Sequence, residues 1–290
     1  MAEAAIAAGT RVAFQGELGA FSEEAVHCFF GPGVEPIPRR EFADVGRAVL
    51  AGEVDYGLLP IENSLAGSVV GSYDVLSGGE VEIVGEVINP IHHCVLGVKG
   101  SSLEKVRRII SHPVALAQCT KLLRSLTGVE AVAVYDTAGA AKDVADLQEP
   151  EQAAIAGKHA ARRYGLDVLA ENVEDRPDNQ TRFLVVRPRT RHAEERPTSV
   201  QGRKSMKAAV MVETKNVPGA LLQVLQPFSA RGINLSKLES RPAGEPWTYR
   251  FFIEVDADAE SPNAVAAFEE VGESAVRLQV LGTYPKWEVV

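Results

Sequence analysis

The segment 81-VEIVGEVINPIHHCVLGVKG-100 is a long, mostly extended apolar run that Pro90 interrupts near its middle. It is longer than a typical strand, and proline has no N–H to donate inside a sheet. The segment therefore favours a chain that passes here from one lobe of a domain to another, with a second crossing expected near residues 153–169. Two crossings would give two lobes and a cleft between them, a common place for a small-molecule site. One continuous sheet is the alternative that periodicity leaves open.

On both sides of this segment, residues 10–187 alternate between strand-like and helix-like stretches, which predicts an α/β domain. The strand-like runs are 11-RVAFQG, 56-YGLLPI, 107-RRIIS, 130-EAVAVY, 153-AAIAG and 181-TRFLVV. The helix-like runs are 20-AFSEEAVHCFF, 114-VALAQCTKLLRSL and 137-TAGAAKDVADL.

A charged, proline-containing stretch follows and is typical of a linker, which we place at residues 188–205. Residues 206–286 then read as strand, helix, strand, strand, helix, strand. Their runs are 207-KAAVMVE, 219-GALLQVLQPFSA, 234-NLSKLES, 247-WTYRFFIEV, 263-NAVAAFEEV and 276-VRLQVLG. This βαββαβ order predicts an α+β domain of the ferredoxin-like type.

Composition excludes several classes of protein. The 290 residues carry 30 Lys and Arg against 39 Asp and Glu, a net charge of −9, so the bulk charge favours neither nucleic acid nor an anionic membrane as a partner. Three cysteines without a CxxC pair argue against a disulfide framework or a structural zinc site. Residues 1–9, which we expect to be a disordered start, lack a basic region before their apolar stretch, so we expect no signal peptide and a cytoplasmic location.

Four junctions in the first domain begin with small or hydroxyl residues and predict helix N-caps: 19-GAFS, 62-ENSLAGS, 111-SHP and 136-DTAG. Helix N-termini offer free N–H groups to an anion, so converging ends would bind carboxylates. Ordinary capping is the alternative for each junction. Thr181 and Arg182, at the start of an apolar strand, could hold a carboxylate and donate to an oxygen of the same ligand, although a surface arginine beside a turn is equally compatible.

The histidines do not predict a metal site. His92 and His93 are adjacent on an extended segment, so their side chains point to opposite faces and form no natural chelating pair. His112 follows a strand and favours a capping or structural role over ligand contact. The sequence also lacks a GxSxG elbow, a P-loop and a GxGxxG motif, the local signals of hydrolases, NTPases and dinucleotide enzymes.

In the second domain, Glu239 and Arg241 share one face of a strand while Ser240 points to the other. Together with the strand-to-helix junction at 216-NVPGALLQVL, this motif could hold a zwitterion if another subunit or helix closed over it. The alternative is an exposed charged edge.

The first domain resembles the prephenate dehydratase family across almost all of residues 11–187. The resemblance is carried, in order, by 13-AFQGELGAFSEEA, 59-LPIENSLAGSV, 92-HHCVLGV, 111-SHPVALAQC, 136-DTAGAAKDVA, 153-AAIAGKHAARRYGL and 179-NQTRF. The second domain is similar to the ACT regulatory domains fused to these enzymes, through 218-PGALLQVL and 239-ESRP.

This resemblance implies a two-lobed catalytic domain like the type 2 periplasmic binding proteins, with the active site between the lobes. It implies conversion of prephenate to phenylpyruvate, carbon dioxide and water without cofactor or metal, in phenylalanine biosynthesis. It also implies that Thr181 assists the leaving hydroxyl. The residues it places along the substrate cleft are Ala20, Phe21, Ser22, Asn63, Ser64, Gly67, Ser68, Thr137, Arg182 and Phe183.

The ACT domain implies feedback regulation by phenylalanine and at least a dimer, either a homodimer or a homotetramer. The residues implied to bind phenylalanine are Asn216, Gly219, Ala220, Leu221, Glu239, Ser240 and Arg241. We expect a monofunctional chain, since no helical region precedes residue 11. Two alternatives remain: an arogenate dehydratase, whose substrate carries an ammonium-bearing carbon in place of the keto group, and a non-catalytic amino-acid sensor.

Overall fold

The structure of the protein, a computed structural model, describes residues 9–189 and 205–287. The first half of its first domain contains β1 (Arg11–Gln15), α1 (Phe21–Phe30), β2 (Glu35–Arg39), α2 (Phe42–Leu50), β3 (Tyr56–Asn63), β4 (Gly67–Ser68), α3 (Val70–Ser77) and β5 (Val81–Pro90). Then follow β6 (His93–Gly97), β7 (Arg108–Ser111), α4 (Pro113–Gln118), α5 (Thr120–Ser125), β8 (Glu130–Ala133), α6 (Thr137–Leu147), β9 (Gln152–Gly157), α7 (Lys158–Tyr164), β10 (Asp167–Ala170) and β11 (Gln180–Pro188). The second domain comprises β12 (Met206–Glu213), α8 (Ala220–Ala230), β13 (Leu235–Pro242), β14 (Tyr249–Val255), α9 (Pro262–Ser274) and β15 (Arg277–Pro285).

Lobe 1 is built on a sheet of order β2-β1-β3-β11-β5, with the short β4 paired to β3. The first three strands are parallel, and β11 joins them antiparallel between β3 and β5. The central strand β3 is buried along six of its eight residues, as a strand covered on both faces should be. The carboxyl ends of β1, β2 and β3 therefore lie at one edge of the sheet, where open α/β sheets place ligand sites.

Lobe 2 is built on a second sheet of order β10-β6-β9-β7-β8. The chain enters it between Pro90 and His93, which confirms the first predicted crossing and the two-lobed fold. The second crossing, expected near residues 153–169, is wrong in position. Both β9 and β10 pair with β6 in the second sheet, so the chain returns to lobe 1 only through residues 171–179.

The predicted single helix after His112 is two short helices that break at Cys119. The carboxylate of Asp175 causes the break, because it accepts hydrogen bonds from the backbone N–H groups of Thr120 and Lys121 and so caps the second helix. Asp175 belongs to the returning segment, and its own N–H donates to the carbonyl of Gln118. The helix break therefore ties the second crossing to lobe 2.

The second domain has the predicted βαββαβ order, with strands arranged β13-β14-β12-β15 and two helices on one face. The other face packs on lobe 1 through one continuous apolar core that includes Tyr73 and Ile83 of lobe 1 and Met211, Phe252 and Leu281 of the second domain. Residues 1–8 and 190–204, which hold most of the expected disordered start and most of the predicted linker, lie outside the described residues.

No helix in the described ranges is long and apolar enough to cross a membrane.

Candidate active site

A cleft of about 420 Å³ separates the two lobes. Lobe 1 contributes the start of α1, the end of β3 with the turn that follows it, and Thr181 on β11. Lobe 2 contributes His93, the start of α4 and the start of α6. Eight residues that the sequence predicts for the substrate cleft line it, namely Phe21, Ser22, Asn63, Gly67, Ser68, Thr137, Thr181 and Phe183.

Thr181 is buried, and its hydroxyl lies beside the side-chain amide of Asn63. The two residues are paired across β11 and β3, and Asn63 Nδ2 donates to Thr181 Oγ1 over 3.0 Å. The same nitrogen lies 2.8 Å from Asn179 Oδ1 and 3.1 Å from the carbonyl oxygen of Gln180, so its two hydrogens are shared among three acceptors. The hydroxyl oxygen of Thr181 is therefore an acceptor in this network, and its own proton remains available for a bond into the cleft.

The backbone decides which end of the Asn63 amide faces Thr181. Asn63 Oδ1 accepts hydrogen bonds from the N–H groups of Leu65 and Ala66, at 3.0 and 2.8 Å. A backbone N–H can only donate, so the atom it meets must be the amide oxygen and the other must be the nitrogen. This turn replaces the helix N-cap predicted at 62-ENSLAGS.

Two further polar side chains, Gln118 and His93, extend the network into lobe 2. Gln118 Nε2 donates to Asn63 Oδ1 over 3.3 Å, while Gln118 Oε1 accepts from Asn179 Nδ2 over 3.0 Å. His93 Nε2 lies 3.0 Å from the same Gln118 oxygen, so it carries the proton and donates. Burial lowers the pKa of His93, although the bond to Gln118 acts in the opposite direction, so the ring is neutral near pH 7.

The charge of the cleft itself is low. Among the described residues that line it there is no lysine or arginine, and Asp136 is its one carboxylate. Burial raises the pKa of Asp136, despite the hydrogen bond that its Oδ1 accepts from the N–H of Gly139. This bond makes Asp136 the N-cap of α6, as predicted from the sequence.

Of the other junctions, His112 caps α4, because its Nδ1 accepts from the N–H of Val114. The N-cap of α1 is Ala20, whose side chain has no capping group, so the prediction of a side-chain cap at 19-GAFS is wrong. Two of the four predicted junctions thus have a side-chain N-cap.

Three predicted substrate contacts lie away from the cleft walls. Ala20 is buried in the core of lobe 1. Ser64 joins the turn to β11, since its Oγ donates to the carbonyl of Asp178 and accepts from the N–H of Gln180. Neither residue lines the cleft that the structure shows.

Arg182 is the third, and it faces the second domain. Neighbouring residues of a strand point to opposite faces, so the guanidinium lies behind the sheet from Thr181. It makes two 2.8 Å hydrogen bonds to the carboxylate of Glu254 and a 3.2 Å bond to Glu86. Burial alone would lower the pKa of Arg182, but these carboxylates hold it well above its usual value. Its expected place on the substrate wall is therefore not the one it occupies.

Three of the seven predicted phenylalanine-binding residues meet in the second domain. Asn216, Ala220 and Leu221 line a pocket of about 160 Å³ together with Trp247 and Phe251. Gly219, at the N-cap of α8, has φ +82°, which a side chain would strain.

The 239-ESRP residues divide between the two faces of the edge strand β13. Ser240 is paired with Phe251 and so shares the face of this pocket. Glu239 and Arg241 share the opposite face, as predicted, and Glu239 accepts a 2.6 Å hydrogen bond from Ser68 Oγ of the cleft. This contact between the second domain and the cleft wall is not readable from the sequence.

Sequence reasoning also missed Gln15, His93, Gln118, Tyr135 and Asn179 as parts of the site. Gln15, His93, Gln118 and Asn179 all lie within the motifs that carry the family resemblance, which was the available signal, and Tyr135 directly precedes one of them. The described residues contain no group of three or more His, Cys, Asp or Glu side chains that could hold a metal ion.

Comparison with known proteins agrees with this architecture. A family model described as prephenate dehydratase matches residues 12–191, and one described as ACT domain matches residues 208–273. The bifunctional chorismate mutase/prephenate dehydratase of Stutzerimonas stutzeri is 41% identical over 278 residues, which cover 95% of this chain and 73% of that protein. Arogenate dehydratase/prephenate dehydratase 2 of Arabidopsis thaliana is 39% identical over 285 residues, with 95% and 72% covered.

Solved structures match over both domains. Prephenate dehydratase from Arthrobacter aurescens in complex with L-Phe superposes with a TM-score of 0.84 at 31% identity, covering 96% of this chain and 90% of that one. A structure described as GqqA, a novel type of quorum quenching acylase, gives a TM-score of 0.84 at 34% identity, with 96% and 98% covered. Seven ordered motifs, the two-lobed fold and these matches lead to one conclusion: the chain belongs to the prephenate dehydratase family and carries a C-terminal ACT domain.

Proposed function

We propose that the cleft converts prephenate to phenylpyruvate and that Thr181 protonates, or hydrogen-bonds, the departing hydroxyl. The ring carboxylate leaves as carbon dioxide, and the electron pair of its bond completes the aromatic ring as the carbon–oxygen bond on the opposite ring carbon breaks. The dianion and one proton give phenylpyruvate monoanion, carbon dioxide and water. Because hydroxide is a poor leaving group, a placed donor is worth about 10²–10⁴ in rate.

One observation carries the assignment of Thr181: its oxygen is held as an acceptor by Asn63 Nδ2, whose own orientation two backbone N–H groups fix. The threonine proton is thereby directed away from the protein network. Gln118 donates to Asn63 and the Nε2–H of His93 donates to Gln118, so neither of these groups accepts the threonine proton.

An acylase reaction, named for one structural relative, would need a nucleophile activated by a base. Thr181 Oγ1 instead receives a hydrogen bond from an amide. Among the described cleft residues, no hydroxyl is hydrogen-bonded to a histidine. These contacts favour the dehydratase.

The test of Thr181 compares Thr181→Val, which keeps the shape and removes the hydroxyl, with Thr181→Ser, which keeps the hydroxyl. We expect Val to lower kcat by about 10²–10⁴-fold and Ser to retain most of it. Thermal unfolding of both variants checks the fold, and near-normal turnover of a folded Thr181→Val protein would refute the role.

Arogenate is the second candidate substrate, since the same bonds break and relatives named for each activity match over 95% of the chain. A side-by-side assay follows phenylpyruvate from prephenate and phenylalanine from arogenate. Preference for arogenate would change the substrate and keep the mechanism, whereas no turnover of either would support the amino-acid sensor.

We further propose feedback control by phenylalanine, bound between the pocket at Asn216, Ala220 and Leu221 and the 239-ESRP strand of a second subunit. The strand β13 is an edge strand of its sheet, and a dimer or tetramer would bring the two motifs together. We also propose a cytoplasmic enzyme and a division into residues 10–187, 188–205 and 206–286. The lyase reaction needs no cofactor, so activity should survive a chelator.

A further inference from the structure

A second cavity opens beside the cleft, and we call it the side pocket. It has a volume of about 330 Å³ and is lined by Gln15, Gly16, Glu17, Arg39, Arg40 and Tyr135. Gln15 and Tyr135 also line the cleft, so the two cavities are neighbours, whereas Thr181 and Asn63 line the cleft alone. The side pocket therefore adjoins the cleft without including the reacting group.

The side pocket lies at the ligand-binding edge of the lobe 1 sheet. Strands β1 and β2 are parallel and in register, with Gln15 opposite Arg39, and both end there. Gly16 N–H donates to the carbonyl of Arg39, and Gln15 Nε2 donates to that of Arg40. These bonds fix the two arginines at the carboxyl end of β2.

Its charges differ from those of the cleft. Arg39 is paired with Glu53 at 2.8 Å, whereas the exposed guanidinium of Arg40 has no hydrogen bond or ion pair within residues 9–189 and 205–287. Glu17 is the carboxylate of the side pocket: its Oε1 accepts from Tyr135 Oη at 3.0 Å, and Lys142 Nζ lies 4.0 Å from its Oε2. A cation and an anion thus face the same cavity.

The substrate needs such charges. The ring carboxylate and the three-carbon side chain of the substrate are attached to the same ring carbon, opposite the carbon that bears the hydroxyl. The side chain ends in a second carboxylate. The described residues that line the cleft include no cation, and burying an unpaired carboxylate is costly. With the hydroxyl at Thr181, the side chain points away from Thr181, and the side pocket is the adjoining cavity with a free cation.

We propose that the side pocket is the subsite for the substrate side chain, where Arg40 pairs with its terminal carboxylate and Glu17 pairs with the ammonium of arogenate. The inference rests on the proposed dehydratase function and adds the residues that bind the substrate side chain. Arg40 serves both substrates, because both carry the carboxylate. Glu17 favours only the amino form, because the keto group of prephenate has no positive charge.

The first test replaces Arg40 by Gln, with Arg47→Gln as the matched control. Arg47 lies on α2, is 69% exposed and pairs with Asp44, outside the side pocket. We expect Arg40→Gln to raise KM for prephenate and for arogenate about tenfold, with kcat changed less than about twofold. Raising the ionic strength should reduce the difference in KM between wild type and Arg40→Gln, since the guanidinium of Arg40 is exposed and salt screens its charge.

The second test replaces Glu17 by Gln and compares kcat/KM for the two substrates. The arogenate-to-prephenate ratio should fall about fivefold or more, since a charge-assisted bond is lost for one substrate only. Glu149→Gln, which removes an exposed carboxylate that lines neither the cleft nor the side pocket, should leave that ratio within about twofold of wild type.

The outcomes separate the two proposals. An active wild-type enzyme whose KM values do not respond to Arg40→Gln would overturn the side-chain subsite and leave the dehydratase intact. An unchanged substrate ratio in Glu17→Gln would overturn the ammonium contact. A wild-type protein inactive on both substrates would overturn the dehydratase and this subsite together.

Discussion

At the scale of single residues, the site depends on the direction of hydrogen bonds more than on their number. Asn63 is anchored by the N–H groups of Leu65 and Ala66, and only its nitrogen is left to face Thr181. An aspartate at the same place would fit the turn equally well. It would, however, present an acceptor to the threonine and draw the hydroxyl proton toward itself.

We therefore predict that Asn63→Asp lowers kcat by about 10²-fold near neutral pH while leaving the protein folded. As the pH falls through the pKa of the new carboxyl, the group gains a proton that it can donate to Thr181. Its activity relative to wild type should then recover. A pH–rate profile of both proteins checks this, and a variant-to-wild-type ratio that stays flat with pH would contradict the hydrogen-bond direction.

Thr181 and Arg182 also show where sequence reasoning stops at this scale. The period of two in a strand implies that only one of the two neighbours can face the cleft. It does not say which partner the other one has. Glu254 lies 72 positions away in another domain, and its pairing with Arg182 depends on how that domain packs.

At the scale of elements, β11 connects the cleft to the ACT domain. It lies between β3 and β5, presents Thr181 to the cleft and presents Arg182 to Glu254. Its neighbour β5 packs directly under β15 of the ACT domain, where a Cβ on Gly282 would overlap the carbonyl oxygen of Ile83. That approach is possible only for glycine, because the obstacle is backbone.

We predict that Gly282→Ala forces β15 away from β5 and lowers the free energy of unfolding by several kcal/mol, as overpacking against a fixed backbone does. Gly272→Ala is the matched control, because a Cβ at this exposed helical position meets no atom within 4 Å. It should be neutral or stabilising by about 0.4–1 kcal/mol. Denaturant unfolding of both variants measures the difference, and equal stabilities would show that the two strands are not in close contact.

The elements themselves were largely predictable, because alternating apolar runs and helical periodicity are local properties. The pairing of strands was not. Residues 167–170 form a short strand that pairs antiparallel with β6, and their sequence does not indicate this partner. The second crossing was therefore predicted too early in the chain. The break at Cys119 likewise depends on Asp175, which only the folded chain brings to that helix.

At the scale of the whole molecule, the ACT domain forms ion pairs with the residues next to Thr181 and Asn63 in the chain, namely Arg182 and Glu62. Glu254 binds Arg182, and Lys237 Nζ lies 3.0 Å from Glu62 Oε2. Burial alone would raise the pKa of Glu62, but Lys237 and Arg182 lower it. A shift of β13 would therefore move charges directly beside Asn63, and Glu239 on the same strand contacts Ser68 of the cleft.

This arrangement predicts that Lys237 transmits the proposed phenylalanine signal without binding phenylalanine. Lys237 lies on β13 two residues before Glu239, and its side chain is 11% exposed and directed at Glu62 rather than at the pocket. An ordinary allosteric coupling of about 1–3 kcal/mol would change an apparent affinity about 5–150-fold. In Lys237→Gln this factor should fall toward one. The substitution removes the ion pair with Glu62, which links the position of β13 to the residue next to Asn63.

Two measurements separate transmission from binding. Trp247 lines the 160 Å³ pocket of the ACT domain and is 78% exposed, so its fluorescence should change when phenylalanine binds there. Turnover measures inhibition. We expect Lys237→Gln to bind phenylalanine nearly as wild type does and to be inhibited less. Lys286→Gln, which removes an exposed lysine 3.8 Å from Asp256, should retain full inhibition. If phenylalanine inhibited Lys237→Gln with the same coupling factor as wild type, the signal would reach the cleft by a route that does not use Lys237. The Ser68–Glu239 contact would then be the next route to test, because it joins the same strand, β13, to the cleft wall.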